Sequence, residues 1–264
     1  MQDKFNREIN YLRISVTDKC NLRCTYCMPE DGVELHSHSD FLSFEQIGKV
    51  VKSAAKLGIG KIRLTGGEPL VKNGIVDLVK MISAIDGISE IGMTTNGILL
   101  PKFAKDLKIA GLSNLNISCD TLDEIKYRNY TRGGNLNDVL KGIEAAINEQ
   151  FPIKLNMVVQ TGTSENEIFQ MQKFCDEKKI KLQLINHYSL LTEKQDYTFD
   201  RPPKCAICNR IRLLADGNLK PCLHSEDEIK IDFNNIENSL RKAILAKPKS
   251  GKICTKRKMF EIGG

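Results

Sequence analysis

The stretch that decides the fold runs from Leu12 to Cys27 and reads LRISVTDKCNLRCTYC. It begins with an apolar, β-branched run at residues 12–16, which predicts a buried strand. Three cysteines follow directly, Cys20, Cys24 and Cys27, with the spacing C-x3-C-x2-C. Functional loops of α/β proteins gather at the carboxyl ends of the strands, so these thiols predict a metal-binding loop at that edge.

The same theme of a short β-branched run followed by an amphipathic segment repeats along the first two-thirds of the chain. Such alternation is typical of βα units and a parallel sheet. Successive right-handed crossovers curl a sheet of this kind, so we expect an α/β fold built as a partial (β/α)6 TIM-like barrel. The six predicted strands are residues 12–16, 61–65, 90–95, 114–119, 153–159 and 181–187.

The pattern changes after residue 188. A polar connector is predicted at residues 189–204, followed by a hairpin whose strands, 210–215 and 219–223, flank the turn-forming residues 216–218. A helix is predicted at residues 236–246. We therefore divide the chain into a barrel, residues 1–188, and a small C-terminal extension, residues 189–264. The extension is too small to be stable as an independent domain without a cross-link such as a metal site.

The composition sets limits on the class of protein. The chain has 264 residues, of which 41% are hydrophobic and 27% charged, with a net charge of +6. No apolar run approaches the roughly 20 residues of a membrane span, and no dense basic arm favours nucleic acid. The nine cysteines indicate metal binding in a reducing compartment rather than disulfides. We expect a cytoplasmic enzyme with no membrane or nucleic-acid partner.

Three thiolates from one loop can hold three irons of a cubane iron–sulfur cluster and leave the fourth iron open. An open coordination position is typical of a site that handles an exogenous ligand. Two alternatives remain at this point: a structural zinc site completed by a distant histidine, and a chance grouping of cysteines.

The C-x3-C-x2-C loop resembles that of the radical S-adenosylmethionine enzymes, whose [4Fe-4S] cluster binds S-adenosylmethionine at the open iron and cleaves it to a 5′-deoxyadenosyl radical. The segment Thr65-Gly-Gly-Glu-Pro69 resembles the glycine-rich element of the same enzymes, where glycine lets the backbone approach the cofactor. The resemblance implies metal ligation by the three cysteines. The residues that it implies for cofactor binding are Tyr26, Gly66, Gly67, Glu68 and Ser118.

A second group of cysteines, Cys205, Cys208 and Cys222, lies in the predicted extension. Three cysteine ligands would again leave one iron of a cubane cluster open. The alternative is a closed zinc site or closed cluster, with Cys254 or His224 as the fourth ligand and a purely structural role.

The segment from Cys208 to Cys222 resembles the auxiliary-cluster segment of the GTP 3′,8-cyclase family, in which three cysteines hold a second [4Fe-4S] cluster facing the guanine. Arg210 and Arg212 alternate on one predicted strand and so share a face. The resemblance extends through residues 94–97, 116–120 and 154–159 to the terminal glycines. It implies catalytic roles for Arg210, Arg212, Gly263 and Gly264, and the GTP contacts that it implies are Arg13, Arg63, Thr94, Lys154, Arg210 and Arg212.

The activity that this resemblance implies is a lyase reaction, conversion of GTP to its 3′,8-cyclised nucleotide at the first step of molybdenum cofactor biosynthesis. The implied partners are a reductant such as flavodoxin or ferredoxin and, downstream, cyclic pyranopterin monophosphate synthase; a homodimer is left open.

Two departures from the family pattern leave room for another substrate. The connector is much shorter than in the usual cyclase, and Gln183, Asn186 and Tyr188 stand where arginine, glutamate and methionine are usual. The alternatives are a related radical enzyme acting on another nucleotide or a peptide, and, from a different class, a non-catalytic zinc or nucleic-acid-binding protein.

Overall fold

A computed structural model of the chain describes residues 1–30, 40–193, 198–199 and 203–263. Gly264 and parts of the predicted connector, residues 194–197 and 200–202, lie outside the described residues. The strands are β1 (Tyr11–Ser15), β2 (Lys61–Thr65), β3 (Glu90–Thr95), β4 (Asn114–Ser118), β5 (Ile153–Val159), β6 (Lys181–Asn186), β7 (Arg210–Leu213), β8 (Asn218–Lys220) and β9 (Ile229–Lys230).

Within the described ranges these strands form one sheet in the order β6-β5-β4-β3-β2-β1-β7-β8-β9. Strands β1 to β6 are parallel, each hydrogen-bonded to the next along the chain. The sequence placed all six to within one residue at either end. The architecture is the expected α/β fold, a mostly parallel sheet arranged as a partial barrel.

Helices connect the parallel strands and cover the sheet. The helix α1 shows why they form: Ser43 caps its first turn in a reciprocal capping box with Gln46. Its buried residues, among them Ile47, Val51 and Ala54, recur at helical spacing and join the main apolar core. The helices are α1 (Phe44–Lys56), α2 (Ile75–Ser83), α3 (Leu100–Ile109), α4 (Glu124–Tyr130), α5 (Leu136–Asn148), α6 (Glu165–Glu177), α7 (Ile236–Leu245) and α8 (Met259–Ile262).

The C-terminal region extends the barrel sheet instead of standing apart from it. Strand β7 pairs in parallel with β1, and this register sets Arg13 beside Arg212. Strands β7, β8 and β9 then run antiparallel. Strand β8 ends earlier than predicted, before Pro221, which has no N–H to donate to the ladder. Strand β7 ends at Leu213, two residues earlier than predicted. The division of the chain at residue 188 stays a prediction.

A smaller apolar cluster lies beside the hairpin. It contains Leu190, Leu214, Leu223, Cys254 and Ile262, all buried. This cluster joins the connector, the hairpin and α8, so it fixes the segment that ends at Gly263. Among the described residues, no helix is both long and apolar enough to cross a membrane.

Candidate active site

A cavity of about 800 Å3 is enclosed by the inward side chains of the strands and by the loops at their carboxyl ends. Both cysteine groups reach its wall. Glu68 and Gly263 do not line it, and Gly264 is outside the described residues. The predicted site residues that do line it are Arg13, Cys20, Cys24, Tyr26, Cys27, Arg63, Gly66, Gly67, Thr94, Ser118, Lys154, Cys205, Cys208, Arg210, Arg212 and Cys222.

The first cysteine group lies in the loop after β1. The amide of Cys27 donates to the carbonyl of Cys24 at 3.0 Å, which forms a tight turn and brings these two thiols to the same side. The amide of Leu22 donates to the Cys20 sulfur at 3.4 Å. Arg132 fixes the loop from outside by donating to the carbonyl of Met28 at 2.9 Å.

The electrostatic surroundings of this group disfavour free thiolates. Burial raises the pKa of Cys20 to about 11, and the Glu68 carboxylate raises it further against the Leu22 amide. Burial, with the charge of Cys20, raises the pKa of Cys27 to about 12. Burial and then the charges of Cys27 and Asp120 raise the pKa of Cys24. Such thiols require a strongly binding metal to become thiolates.

The glycine pair after β2 packs against the cysteine loop. A Cβ on Gly67 would lie 2.4 Å from the carbonyl oxygen of Lys19, and one on Gly66, whose φ is +149°, would lie 2.3 Å from that of Thr17. The amide of Gly67 donates to Thr17 at 2.8 Å. Close approach was predicted for a cofactor, whereas here the neighbour is the backbone that carries the cysteines.

Glu68 is fully buried behind the cavity wall. Its carboxylate accepts hydrogen bonds from the Thr95 hydroxyl at 2.7 Å, the Asn96 amide at 2.7 Å and the Leu70 amide at 3.0 Å. Burial nevertheless raises its pKa to about 7. Glu68 therefore joins the carboxyl ends of β2 and β3, and its predicted contact with a cofactor stays a prediction.

Tyr26 and Asp120 line the wall between the first cysteine group and β4. The carboxylate of Asp120 accepts a hydrogen bond from the amide of Val158 at 2.8 Å. Burial raises the pKa of Asp120 to about 6, although this hydrogen bond favours its charged form. Burial, with the charge of Asp120, also raises the pKa of Tyr26, whose ring meets His187 edge-on with a centroid separation of 6.3 Å.

The second cysteine group joins two segments of the C-terminal region. Cys205 begins a single 3-10 turn (Cys205–Ile207), and Cys208 caps it, while Cys222 follows β8. The amide of Gly251 donates to the Cys205 sulfur at 3.4 Å. Arg7 donates to the Cys205 carbonyl at 2.8 Å and so ties the start of the chain to this loop.

Positive charge surrounds the second group. Burial raises the pKa of Cys208, but the nearby charges of Lys247 and Arg210 outweigh burial and lower it overall. For Cys222 burial prevails over the charge of Lys247, and the pKa is raised. The two groups therefore share a cavity but differ in the sign of their surroundings.

Two residues were considered as a fourth ligand of the second group. Cys254 packs in the small apolar cluster, and its amide donates to the carbonyl of Leu190 at 2.8 Å. The imidazole of His224 is buried beside Tyr188, with ring centroids 5.3 Å apart. Its side chain also lies near Gly251, where a Cβ would approach that of His224 to 2.7 Å.

Arginines from neighbouring strands line the cavity between the two groups. Arg13 and Arg212 each donate to the carbonyl of Gly263 at 3.0 Å, which holds the end of the described chain against this wall. Arg63 is engaged by the protein, donating to the Tyr11 hydroxyl at 2.6 Å. The Nε of Arg210 is buried and has no hydrogen-bond partner within the described ranges.

The remaining predicted substrate contacts also reach the cavity. Thr94 is half-buried and Lys154 exposed. The three residues that depart from the family pattern, Gln183, Asn186 and Tyr188, line the same cavity. Asn186 is held by the Phe199 backbone, donating from Nδ2 to its carbonyl at 2.9 Å.

The sequence analysis missed several residues of this wall. Asp120 and Asn156 were quoted within motifs but given no role; the Oδ1 of Asn156 is buried and accepts no hydrogen bond from the described residues. Asp120 follows the carboxyl end of β4, which was the available signal, whereas Asn156 lies in the middle of β5. Arg7 and Lys247 carried no signal, because a single basic residue outside a motif is usually solvated.

Comparisons with known proteins identify the family. The sequence profile of the radical SAM superfamily matches residues 14–175. GTP 3′,8-cyclase of Alkaliphilus oremlandii is 42% identical over 320 aligned positions that cover 100% of both chains, and that of Thermodesulfovibrio yellowstonii is 40% identical over 322 positions with the same coverage. These alignments are longer than the 264 residues of this chain, so the relatives have residues that it lacks.

Solved structures support the same fold. SuiB of Streptococcus suis bound to S-adenosylmethionine superimposes with a TM-score of 0.70 and 16% identity, covering 93% of this chain and 66% of that one. The chain thus spans just under two thirds of SuiB. Native anSMEcpe with bound AdoMet gives a TM-score of 0.68 with 18% identity, covering 96% of this chain and 87% of that one.

The first cysteine group fits the cofactors that this superfamily implies, a [4Fe-4S] cluster and S-adenosylmethionine. Three thiols and a sulfur-directed amide come from one loop on a cavity wall, and a cubane accepts one cysteine at each iron. In the described part of the chain, no three His, Cys, Asp or Glu side chains lie close enough together to hold a single metal ion. With these cysteines and with relatives about 40% identical along the whole chain, the protein belongs to the GTP 3′,8-cyclase family of the radical SAM superfamily.

Proposed function

We propose that the protein is a lyase that converts GTP to (8S)-3′,8-cyclo-7,8-dihydroguanosine 5′-triphosphate, the first step of molybdenum cofactor biosynthesis. The observation that carries the proposal is that two groups of three cysteines open onto one cavity that Arg13, Arg63, Arg210 and Arg212 also line. Its support from relatives is identity of about 40% to curated GTP 3′,8-cyclases along the whole chain.

The first group would hold the cluster that binds S-adenosylmethionine, with the thiolates of Cys20, Cys24 and Cys27 as ligands. Together these cofactors supply a carbon radical able to remove a hydrogen atom from the substrate ribose. Tyr26 would pack against the bound cofactor. Four further residues of this end would contact or support it, namely Gly66, Gly67, Glu68 and Ser118.

The second group would hold a second [4Fe-4S] cluster through Cys205, Cys208 and Cys222. The arginines suit a triphosphate and a purine because guanidinium groups bind oxyanions in pairs of parallel hydrogen bonds. The buried Nε of Arg210, which has no hydrogen-bond partner among the described residues, would supply a donor for a ligand. GTP would be held by Arg13, Arg63, Thr94, Lys154, Arg210 and Arg212, and catalysis would depend on Arg210, Arg212, Gly263 and Gly264.

The task of these residues is alignment. A hydrogen atom is transferred only between atoms in near contact, so fixing the triphosphate at one end and the base at the other sets the ribose between them. An electron would come from a low-potential donor such as flavodoxin or ferredoxin. The product would pass to cyclic pyranopterin monophosphate synthase. Cytoplasmic location, assembly as a homodimer and the division at residue 188 belong to the same proposal.

A second candidate function is the same radical chemistry on another nucleotide or on a peptide. The observation that favours it is that Gln183, Asn186 and Tyr188, which depart from the family pattern, all line the cavity. A neighbour in fold, SuiB bound to its precursor peptide SuiA, superimposes with a TM-score of 0.72 at 16% identity, so the fold itself accommodates a peptide substrate.

One experiment separates the two candidates. Protein purified and reconstituted without oxygen is reduced with dithionite and given S-adenosylmethionine with GTP, ATP or no nucleotide. We expect GTP alone to stimulate 5′-deoxyadenosine formation, and GTP deuterated at C3′ to transfer its deuterium into that product. Absence of GTP stimulation, with S-adenosylmethionine still cleaved, would favour the second candidate.

A further inference from the structure

Lys247 is a buried lysine just after α7, only 2% exposed. Its ammonium donates to the carbonyl of Arg210 at 2.8 Å and to that of Pro221 at 3.0 Å. Arg210 lies two residues after Cys208, and Pro221 immediately precedes Cys222. Lys247 therefore bridges the two segments that supply ligands to the second cysteine group.

The third hydrogen of the ammonium is available for sulfur. An ammonium has three donors, two of which meet carbonyls. Cys208 lies near enough that, although burial raises the pKa of its thiol, the charge of Lys247 lowers it. Lys247 is the leading charge acting on both Cys208 and Cys222. Over the described ranges, no ion pair joins Lys247 to a carboxylate.

A buried cation needs a negative partner, because removing an ammonium from water is strongly unfavourable. Here Cys208 and Cys222 would supply that partner if they bound a cluster as thiolates. Reduction by one electron makes such a cluster one charge more negative, so a fixed positive charge beside its sulfurs stabilises the reduced form more than the oxidised form.

We propose that Lys247 is the charge partner of the second cluster: its ammonium holds the Cys208 and Cys222 segments together and raises the reduction potential of that cluster. The inference rests on the proposed function, which places a cluster there. It assigns to Lys247 a positioning and tuning role without contact to the nucleotide.

The test compares three substitutions in the holoenzyme. Lys247→Met removes the charge and the donors, Lys247→Gln removes the charge but keeps an amide donor, and Lys247→Arg keeps the charge. Redox titration followed by electron paramagnetic resonance measures both clusters, and the first cluster is the internal reference. In both neutral variants we expect the equilibrium constant for reduction of the second cluster to fall at least about tenfold, which for one electron is about 59 mV.

In Lys247→Arg the equilibrium constant for reduction of the second cluster should stay within about twofold of its value in the original protein, because this variant keeps the charge. The matched control is Lys220→Met. Lys220 is also fully buried in this region, but its ammonium pairs with Glu228 at 3.7 Å and donates to the Ser225 carbonyl. Replacing Lys220 should leave the equilibrium constant for reduction of the second cluster within the same twofold range.

The iron content and the potential of the variants together support or overturn the proposal. Neutral variants with about eight irons and an unchanged potential overturn the proposal. Neutral variants that lose the second cluster while Lys247→Arg keeps it support a charge partner, whereas loss in all three variants indicates a purely structural lysine and overturns it. A count of about four irons in the original protein instead contradicts the second cluster of the proposed function.

Discussion

The two cysteine groups differ in the charged side chains near them. Besides burial and the neighbouring cysteines, Glu68 acts on the pKa of Cys20 and Asp120 on that of Cys24, whereas Lys247 and Arg210 act on Cys208 and Lys247 acts on Cys222. Both groups have three thiols and border one cavity. An acidic environment suits a ligand that carries a positive sulfonium and disfavours added electrons, while a basic one suits an anionic nucleotide. The two groups therefore have the same number of thiols but differ in the charge of their neighbours.

The largest expected effect comes from removing a ligand in each group. We expect Cys24→Ala and Cys222→Ala each to lose about four of eight irons and to abolish cyclisation. Cleavage of S-adenosylmethionine should disappear only in Cys24→Ala, because the open iron that binds it belongs to the first group. Iron analysis and 5′-deoxyadenosine assays check this. Persistent cleavage in Cys24→Ala would remove the distinction between the groups.

A matched pair of glycines tests how rigidly each group is packed. Gly67→Ala places a methyl 2.4 Å from a backbone carbonyl oxygen, whereas Gly251→Ala meets the Cβ of His224 at 2.7 Å. The first cysteine loop must move in the first case, whereas in the second the backbone around His224 must move, because a Cβ shifts only with its backbone. We expect S-adenosylmethionine cleavage to fall about 100-fold in Gly67→Ala and far less in Gly251→Ala, measured at equal protein concentration.

The buried carboxyls of the first group predict a pH dependence of stability. Burial raises the pKa of Glu68 from 4.5 to about 7. Between these values the folded protein binds a proton that the unfolded chain has released, so the free energy of unfolding decreases as the pH rises. The decrease attributable to Glu68 is about 3 kcal/mol at most, and Asp120 acts in the same direction.

Urea unfolding of the metal-free protein at pH 5 and pH 8 measures this decrease. We expect Glu68→Gln to flatten it. The control is Glu226→Gln in the C-terminal region: hydrogen bonds from Thr255 lower the pKa of Glu226, so that carboxyl contributes stability that is lost as the pH falls. An undiminished slope in Glu68→Gln would show that Glu68 does not carry the effect.

The smallest effect concerns the ion pairs of Arg257 that hold α8, which we call the clasp. Arg257 bonds Glu228 at 2.8 Å, Asp216 at 2.5 Å and Glu261 at 3.2 Å, which fixes the short helix before Gly263. We expect Arg257→Gln to lower GTP turnover about tenfold, because Gly263 would leave its two arginines.

The control for the clasp is Arg241→Gln, which breaks an exposed pair with Glu237 on α7 and should leave turnover unchanged. Cleavage of S-adenosylmethionine without GTP should change little in either variant, because the ion-pair partners of Arg257 and Arg241 all lie in the C-terminal region and none belongs to the first group. Equal losses of turnover in the two variants would contradict a specific role for the clasp.

The sequence was sufficient for the parallel strands and the two cysteine groups because each has a local signal. Alternation of β-branched runs and helical periodicity placed the strands, and spacing placed the thiols. It could not show that β7 pairs with β1, because this contact joins residues about 200 positions apart. The neighbours that set the charge of each group, Asp120 and Lys247, depend on such distant contacts.

The glycine pair shows a different limit. The motif predicted a close approach of backbone to the cofactor, which stays a prediction, and it gave no signal that a second backbone segment lies close as well. In the structure the neighbours of Gly66 and Gly67 are the carbonyls of Thr17 and Lys19. A pattern of residue types predicts the conformation it permits, whereas the partner is set by tertiary packing.

The pairing of β7 with β1 has a consequence for the order in which the molecule matures. The first cysteine loop lies between β1 and β2, strands that meet over about 50 residues, whereas the second group needs a pairing across about 200. Closing a long loop is slower, because more chain entropy is lost before contacts form. We therefore expect the first group to be ready for metal delivery while the second is still unformed, so that uptake of iron at the second reports completed folding.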